Sequence, residues 1–261
     1  AAAIMFSFPN SAQRCPPRQP EGPRLEPRTW FGDAGVLICR PGGSTTARLA
    51  VAMKGGHNAE HHNHNDVGSY LVVSGREALL VDPGAEVYTR RTFSGQRYDS
   101  KVLNSFGHPV PVVAGKLQST GGKARGAVLG TSFTDDEDRL VIDLKSAYAV
   151  PGLQKLERGF CYSRKGNGTF TVTDTVNFDS PQSFETALVT FAAWTRKDDY
   201  TLVFRGSNEC IEVKIRVAGG EFEIAAGQIN EDVRTPVKPT RVAIRMKEPV
   251  REAAISLTIT P

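Results

Sequence analysis

Residues 169–178 read TFTVTDTVNF. Side chains alternate along a strand, so Phe170, Val172, Asp174, Val176 and Phe178 share one face while Thr169, Thr171, Thr173, Thr175 and Asn177 share the other. Such alternation predicts an antiparallel sheet with one packed face and one wetter face. Short runs of the same kind flank this stretch on both sides. Upstream lie GVLICR (35–40), TARLAVAM (46–53), SYLVV (69–73), EALLVD (77–82), RLVIDLKSAYAV and LERGFCYSR; downstream lie SFETALVTFAAW, DYTLVFRG, ECIEVKIRVA, TRVAIRM and EAAISLTIT. Helical periodicity is nearly absent. A dozen or so strands at roughly 8 to 15 residue spacing predict an all-β fold, a large two-sheet antiparallel β-sandwich of the supersandwich kind. Asn167-Gly168-Thr169 matches a glycosylation sequon, but Asn-Gly before a strand reads first as a hairpin turn.

Residues 9–29 differ in texture. They carry six prolines and almost no apolar periodicity, so residues 1–29 read as an extended linker and residues 30–261 as one folded domain. The apolar start Ala1–Phe8 lacks the basic segment of a complete signal peptide, and the chain reads as a piece of a longer protein. With 261 residues, 39% of them hydrophobic, there is material for a sizeable core. Lys+Arg minus Asp+Glu is 32 − 28 = +4, with the basic residues scattered, which gives no nucleic-acid footprint but suits an acidic substrate. No window approaches the roughly 18 to 20 apolar residues of a membrane helix. Cys15, Cys39, Cys161 and Cys210 form no CxxC pair and read as isolated thiols, with one or two disulfides as the other possibility.

Chemistry concentrates in one segment. Of five histidines, His57, His61, His62 and His64 fall within eight residues of GGHNAEHHNHNDVGSY (55–70), and the fifth is His108. If residues 62–66 enter a strand, His62, His64 and Asp66 point to one face and Asn63 and Asn65 to the other. The next apolar run ends in Asp82 before a Pro-Gly turn. His64, Asp82 and His108 would then make a site of two histidines and one carboxylate with an open position, suited to zinc.

These residues resemble the C-terminal β-sandwich domain of the heparinase II/III-like polysaccharide lyases, a group that includes alginate lyases of the same build. The resemblance rests on GGHNAEHHNHNDVGSY, on LLVDPG (79–84) one hairpin later, and on YTRRTFSGQRYDS (88–100) leading to His108. It implies that His62 is the active-site histidine of this domain and that His64, Asp82 and His108 hold a mainly structural zinc. It implies a cleft tyrosine as well, for which Tyr88 and Tyr98 are both candidates. Arg90, Arg91 and Arg97 in the same loop are candidates to bind a sugar carboxylate or sulfate.

The reaction so implied is β-elimination on a uronic-acid polysaccharide of heparan sulfate or alginate type. It needs a neutralised carboxylate, a base for the C5 proton and a proton for the departing O4 oxygen, and a histidine of pKa near 6.5 serves well near neutral pH. The family also places a helical α/α toroid before the sandwich. That partner domain supplies the other half of the cleft and has no counterpart in this sequence, so little or no turnover is expected of this chain alone. A bacterial periplasmic or secreted location follows from the resemblance only.

Two other readings remain. Gly56, His62 and His64 fit the start of the cupin pattern, yet Gly68 and Ser69 stand where that pattern needs a glutamate. A non-catalytic carbohydrate-binding module, stabilised by zinc, is the other reading; Trp30 and Trp194, the only tryptophans, offer no obvious stacking platform.

Overall fold

The computed structural model describes residues 26–43 and 45–261. Most of the linker segment and Cys15 therefore lie outside the described residues. Strand β1 (Arg28–Phe31) already takes up Arg28 and Thr29.

The strands form three antiparallel sheets in two layers. One sheet has the order β1-β2-β3-β5-β6, with β2 (Val36–Cys39), β3 (Leu49–Lys54), β5 (Tyr70–Ser74) and β6 (Glu77–Leu80). A nine-stranded sheet has the order β13-β14-β15-β18-β11-β10-β9-β8-β4. Its members are β4 (Gly56–Asn58), β8 (Gly121–Phe133), β9 (Glu137–Asp143), β10 (Leu153–Ser163), β11 (Thr169–Gln182), β13 (Ala193–Asp198), β14 (Thr201–Arg205), β15 (Cys210–Ala218) and β18 (Val250–Thr260). The third has the order β16-β17-β12-β7, with β7 (Val112–Val113), β12 (Phe184–Thr190), β16 (Phe222–Gln228) and β17 (Thr240–Met246).

The two smaller sheets lie side by side and together face the nine-stranded one. Their seam is closed by Val81 N donating to Val189 O at 2.9 Å and Thr190 Oγ1 donating to Leu79 O at 2.6 Å. The expected sandwich is present, its second layer split in two. Asp82 follows this seam directly, so the junction delivers a carboxylate to the edge of the core.

The alternation in β11 sorts its side chains as expected: Phe170, Val172, Asp174, Val176 and Phe178 are buried, and the threonines between them are half-buried. Phe160 and Phe170 stack at 6.1 Å, and Tyr70 from the facing layer meets both edge-on, at 6.1 and 5.7 Å. Tyr162 Oη donates to Leu49 O at 2.6 Å across the layers. Each buried aromatic contributes about 1.5–3 kcal/mol from the water it leaves. Gly168 holds φ +88° in the β10–β11 connection, a left-handed conformation that a side chain would strain, so Asn167-Gly168 does act as a turn.

Candidate metal centre and cleft

The histidine segment is not a strand. After β4, which holds His57, residues 59–69 form turns joined by irregular loop, and β5 starts only at Tyr70. Asn and Asp side chains favour turns over sheet ladders, and here Glu60 N donates to Asn63 Oδ1 at 3.3 Å while Ser69 N donates to Asp66 O at 2.9 Å. The alternation expected over residues 62–66 is therefore replaced. His62 has φ +57° and is exposed, Asn63 and Asn65 are buried, and Asp66 turns inward to pair with Lys54.

This loop is fastened to its neighbours at both ends. Gln118 accepts from Val67 N at 3.1 Å and donates to Val67 O at 2.7 Å. Asn65 N donates to Leu103 O at 2.9 Å, and the Arg97 guanidinium donates to Asn63 O at 3.1 and 2.9 Å and to Thr92 O at 2.8 Å.

His64, Asp82 and His108 come together from three segments, with one ligand atom from each lying within 4.8 Å of the others. Asp82 Oδ2 lies 2.8 Å from His108 Nδ1 and accepts from Ser69 Oγ at 2.8 Å. The two imidazoles are 5.4 Å apart, centre to centre. Burial and the neighbouring His108 push His64 down to about 4, so it is neutral near pH 7 and keeps a free lone pair. Burial alone would raise Asp82, but the charge and hydrogen bond of His108 hold it well below the ordinary carboxylate range. Burial opposes protonation of His108, and Asp82 outweighs that and raises it.

These residues fit a divalent metal ion. Nε2 of the fully buried His108 has no hydrogen-bond partner among the described residues, an orphan of the kind a bound ion explains. Two imidazoles and one carboxylate are a zinc donor set.

Two buried arginines hold the His108 loop. Arg158, fully buried on β10, donates to Gly68 O at 2.7 Å and Pro109 O at 2.6 Å and makes two 2.7 Å bonds to Asp174. Arg241, on β17, donates to Phe106 O and His108 O, both at 3.0 Å, and to Glu185 Oε1 at 3.0 Å. The sequence reading missed both. Arg158 sits on the inward side of an alternating strand, which was the available signal, whereas Arg241 shares its face with Ala243 and Arg245, opposite the core residues Val242, Ile244 and Met246.

Beside the triad lies an open cavity of about 430 Å³ lined by His61, His62, Asn63, Phe93, Arg97 and Tyr98, among others. Asn63 Nδ2 donates to Tyr98 Oη at 3.3 Å. Tyr88 does not line it; its ring packs edge-on against Phe93 at 5.3 Å, beneath Arg234 at 4.6 Å. Of the three loop arginines, Arg90 is exposed, whereas Arg91 is engaged by Glu86 and Glu231 at 2.8 and 2.9 Å and Arg97 holds backbone carbonyls. Arg91 and Arg97 therefore spend hydrogen-bonding capacity on loop shape. Trp30 packs on Phe133 at 6.0 Å and Trp194 lies against the core, so neither makes a stacking platform. Among the described residues, Cys39, Cys161 and Cys210 are free thiols, and no helix is long and apolar enough to cross a membrane.

A β-sandwich domain with its histidines gathered at one edge of the split layer is the class that this fold and site define. A family model described as heparinase II/III-like, C-terminal, matches residues 23–258, and the chain belongs to that family. A solved heparinase III gene product with methylated lysines matches at TM-score 0.68 and 16% identity, covering 90% of this chain and 35% of its own. Heparan sulfate lyase HepC from Pedobacter heparinus matches at 0.67 and 14%, covering 94% of this chain and 37% of its own. A 4-alpha-glucanotransferase from Thermococcus litoralis matches at 0.51 and 8%, covering 91% and 40%. At these identities the likeness is one of fold. The chain spans little more than a third of the length of the heparinase structures. No curated protein matches the sequence.

Proposed function

We propose that the chain is the β-sandwich half of a polysaccharide lyase that cleaves uronic-acid polymers, of heparan sulfate or alginate type, by β-elimination. The observation that carries this reading is the placement of His62 and Tyr98 on one cavity, in a loop anchored two residues later at the His64–Asp82–His108 cluster. His62 is exposed and presents its imidazole to that cavity. In this reading it takes the C5 proton or shields the uronate carboxylate, and Tyr98 returns a proton to the departing O4 oxygen. Tyr88, outside the cavity, is the weaker candidate. Among the described residues Arg90 has no ion-pair partner, and in this reading it meets a substrate carboxylate or sulfate.

Zinc, held by His64, Asp82 and His108, supplies a structural anchor that fixes the turn presenting His62. The helical domain of longer relatives completes the cleft, so this chain alone turns over little or no substrate. A bacterial periplasmic or secreted setting suits a polymer substrate.

The test is formation of unsaturated uronate product from heparan sulfate and alginate by this chain joined to a helical partner domain, with and without His62→Asn. Product that disappears in the variant while zinc content and melting temperature hold supports catalysis by His62. Undiminished product overturns it.

A further inference from the structure

A second concavity lies on the outer face of the nine-stranded sheet and shares no residue with the histidine cavity. It encloses about 360 Å³ and is lined by Tyr200, Lys214, Arg216, Ser256 and Thr258, among others. Arg158 and the triad lie on the inner side of that sheet, so the two concavities open on different faces.

Its chemistry is that of an anion site with a sugar-compatible floor. Lys214 and Arg216 are two residues apart on β15, so both point outward, about 6.5 Å apart along the strand. Both are exposed, and among the described residues neither is within ion-pair distance of a carboxylate; Glu212, the acidic residue next on that face, is already held by Lys197 at 2.6 Å. Tyr200 is 59% exposed, with its ring braced by Phe222 at 5.6 Å. Its backbone is fixed on both sides, with Tyr200 N donating to Asp198 Oδ1 at 2.8 Å and Tyr200 O accepting from Ile215 N at 2.7 Å. A large apolar ring left in water on a rigid turn is available for stacking at little ordering cost.

The strand register extends the site into a track. Lys214 stands opposite Thr258, which stands opposite Thr171 and then Cys161; Arg216 stands opposite Ser256, then Thr173, then Gly159. Thr173 and Ser256 hydroxyls meet at 2.9 Å, and those of Thr171 and Thr258 at 3.4 Å. Three strand spacings give about 14 Å of small or hydroxyl-bearing side chains leading away from the two cations.

We infer that this face is a second binding site for an acidic oligosaccharide, with Lys214 and Arg216 on a carboxylate or sulfate, Tyr200 against a sugar face and the hydroxyl rungs beneath the following residues. The ligand class rests on the uronate-polymer reading above; the site itself rests on the sheet.

The test is titration of the chain with size-defined heparan sulfate and alginate oligosaccharides, by calorimetry. Lys214→Ala/Arg216→Ala is expected to weaken binding of at least one of them roughly tenfold or more, and Tyr200→Ala by about fivefold. Lys165→Ala/Lys247→Ala, which removes the same charge elsewhere, leaves it unchanged. Wild-type affinity in the Lys214/Arg216 variant, an equal loss in the charge-matched control, or no binding of either oligosaccharide by the wild-type chain overturns the site. The lyase reading fails separately, through absence of unsaturated product in the turnover assay, which the groove variants do not decide.

Discussion

Arg158 and Asp174 stand directly opposite each other on β10 and β11, joined by two 2.7 Å hydrogen bonds in the middle of the core. The pair is an ion pair with a further duty, because the remaining donors of Arg158 reach Gly68 O, Pro109 O and Thr186 Oγ1.

Removing one partner leaves the other charge buried and unpaired, which costs about 3–5 kcal/mol. Arg158→Ala is expected to lower the urea midpoint accordingly, without changing the slope. Arg158→Met with Asp174→Leu loses less, because neither charge is then stranded. Equal losses in the two would show that the carbonyl contacts, not the carboxylate, dominate.

Metal removal gives the second expectation. The chain is expected to carry about one zinc, absent from His64→Ala and His108→Ala, and chelation should lower the melting temperature by several degrees. Arg241→Lys keeps a charge near Glu185 but cannot span Phe106 O and His108 O together, so its zinc affinity should fall while its β-type circular dichroism spectrum is kept. Full-strength zinc binding by this variant would remove Arg241 from the positioning role.

His62 separates backbone from chemistry. At φ +57° a β-branched side chain is strained, whereas Asn tolerates the conformation. His62→Val is expected to cost about 1–2 kcal/mol and His62→Asn close to nothing, both read from thermal unfolding.

The thiols should differ in their response to pH. Burial, with a hydrogen bond and negative charge from Glu137, pushes Cys161 up to about 11. Since the thiolate is the nucleophile, its alkylation should be slow near pH 7 and keep rising until the pH nears 11, while of the three described thiols the exposed Cys210 reacts first and buried Cys39 last. Peptide mapping after timed iodoacetamide treatment reads this order, and rapid labelling of Cys161 at pH 7 would contradict it.

Much of this was legible in the sequence, for a physical reason. Period-two burial in β11 is local, so TFTVTDTVNF discloses its own packed face. The triad was reachable because histidines are rare here and clustered. The course of residues 59–69 was not, since Asn63, Asn65 and Asp66 close turns through contacts with Glu60, Leu103 and Lys54 that alternation does not encode. The choice between Tyr88 and Tyr98 likewise depends on how the loop folds back on Asn63. Asp174 on the apolar face of its strand and Arg158 on the apolar face of LERGFCYS were a visible complementary pair that alternation alone leaves unmatched.

That same guanidinium sets a timetable for biosynthesis. It gathers Gly68, Pro109, Asp174 and Thr186, which lie 90, 49, 16 and 28 residues away along the chain. Closing loops of such length is entropically costly until the contacts that reward it exist. The histidine turn, though made before these partners, can take its final shape only after the chain has emerged past residue 186, and a nascent chain halted before Asp174 would present His62 and His64 on a loop whose Arg158 clasp is not yet braced.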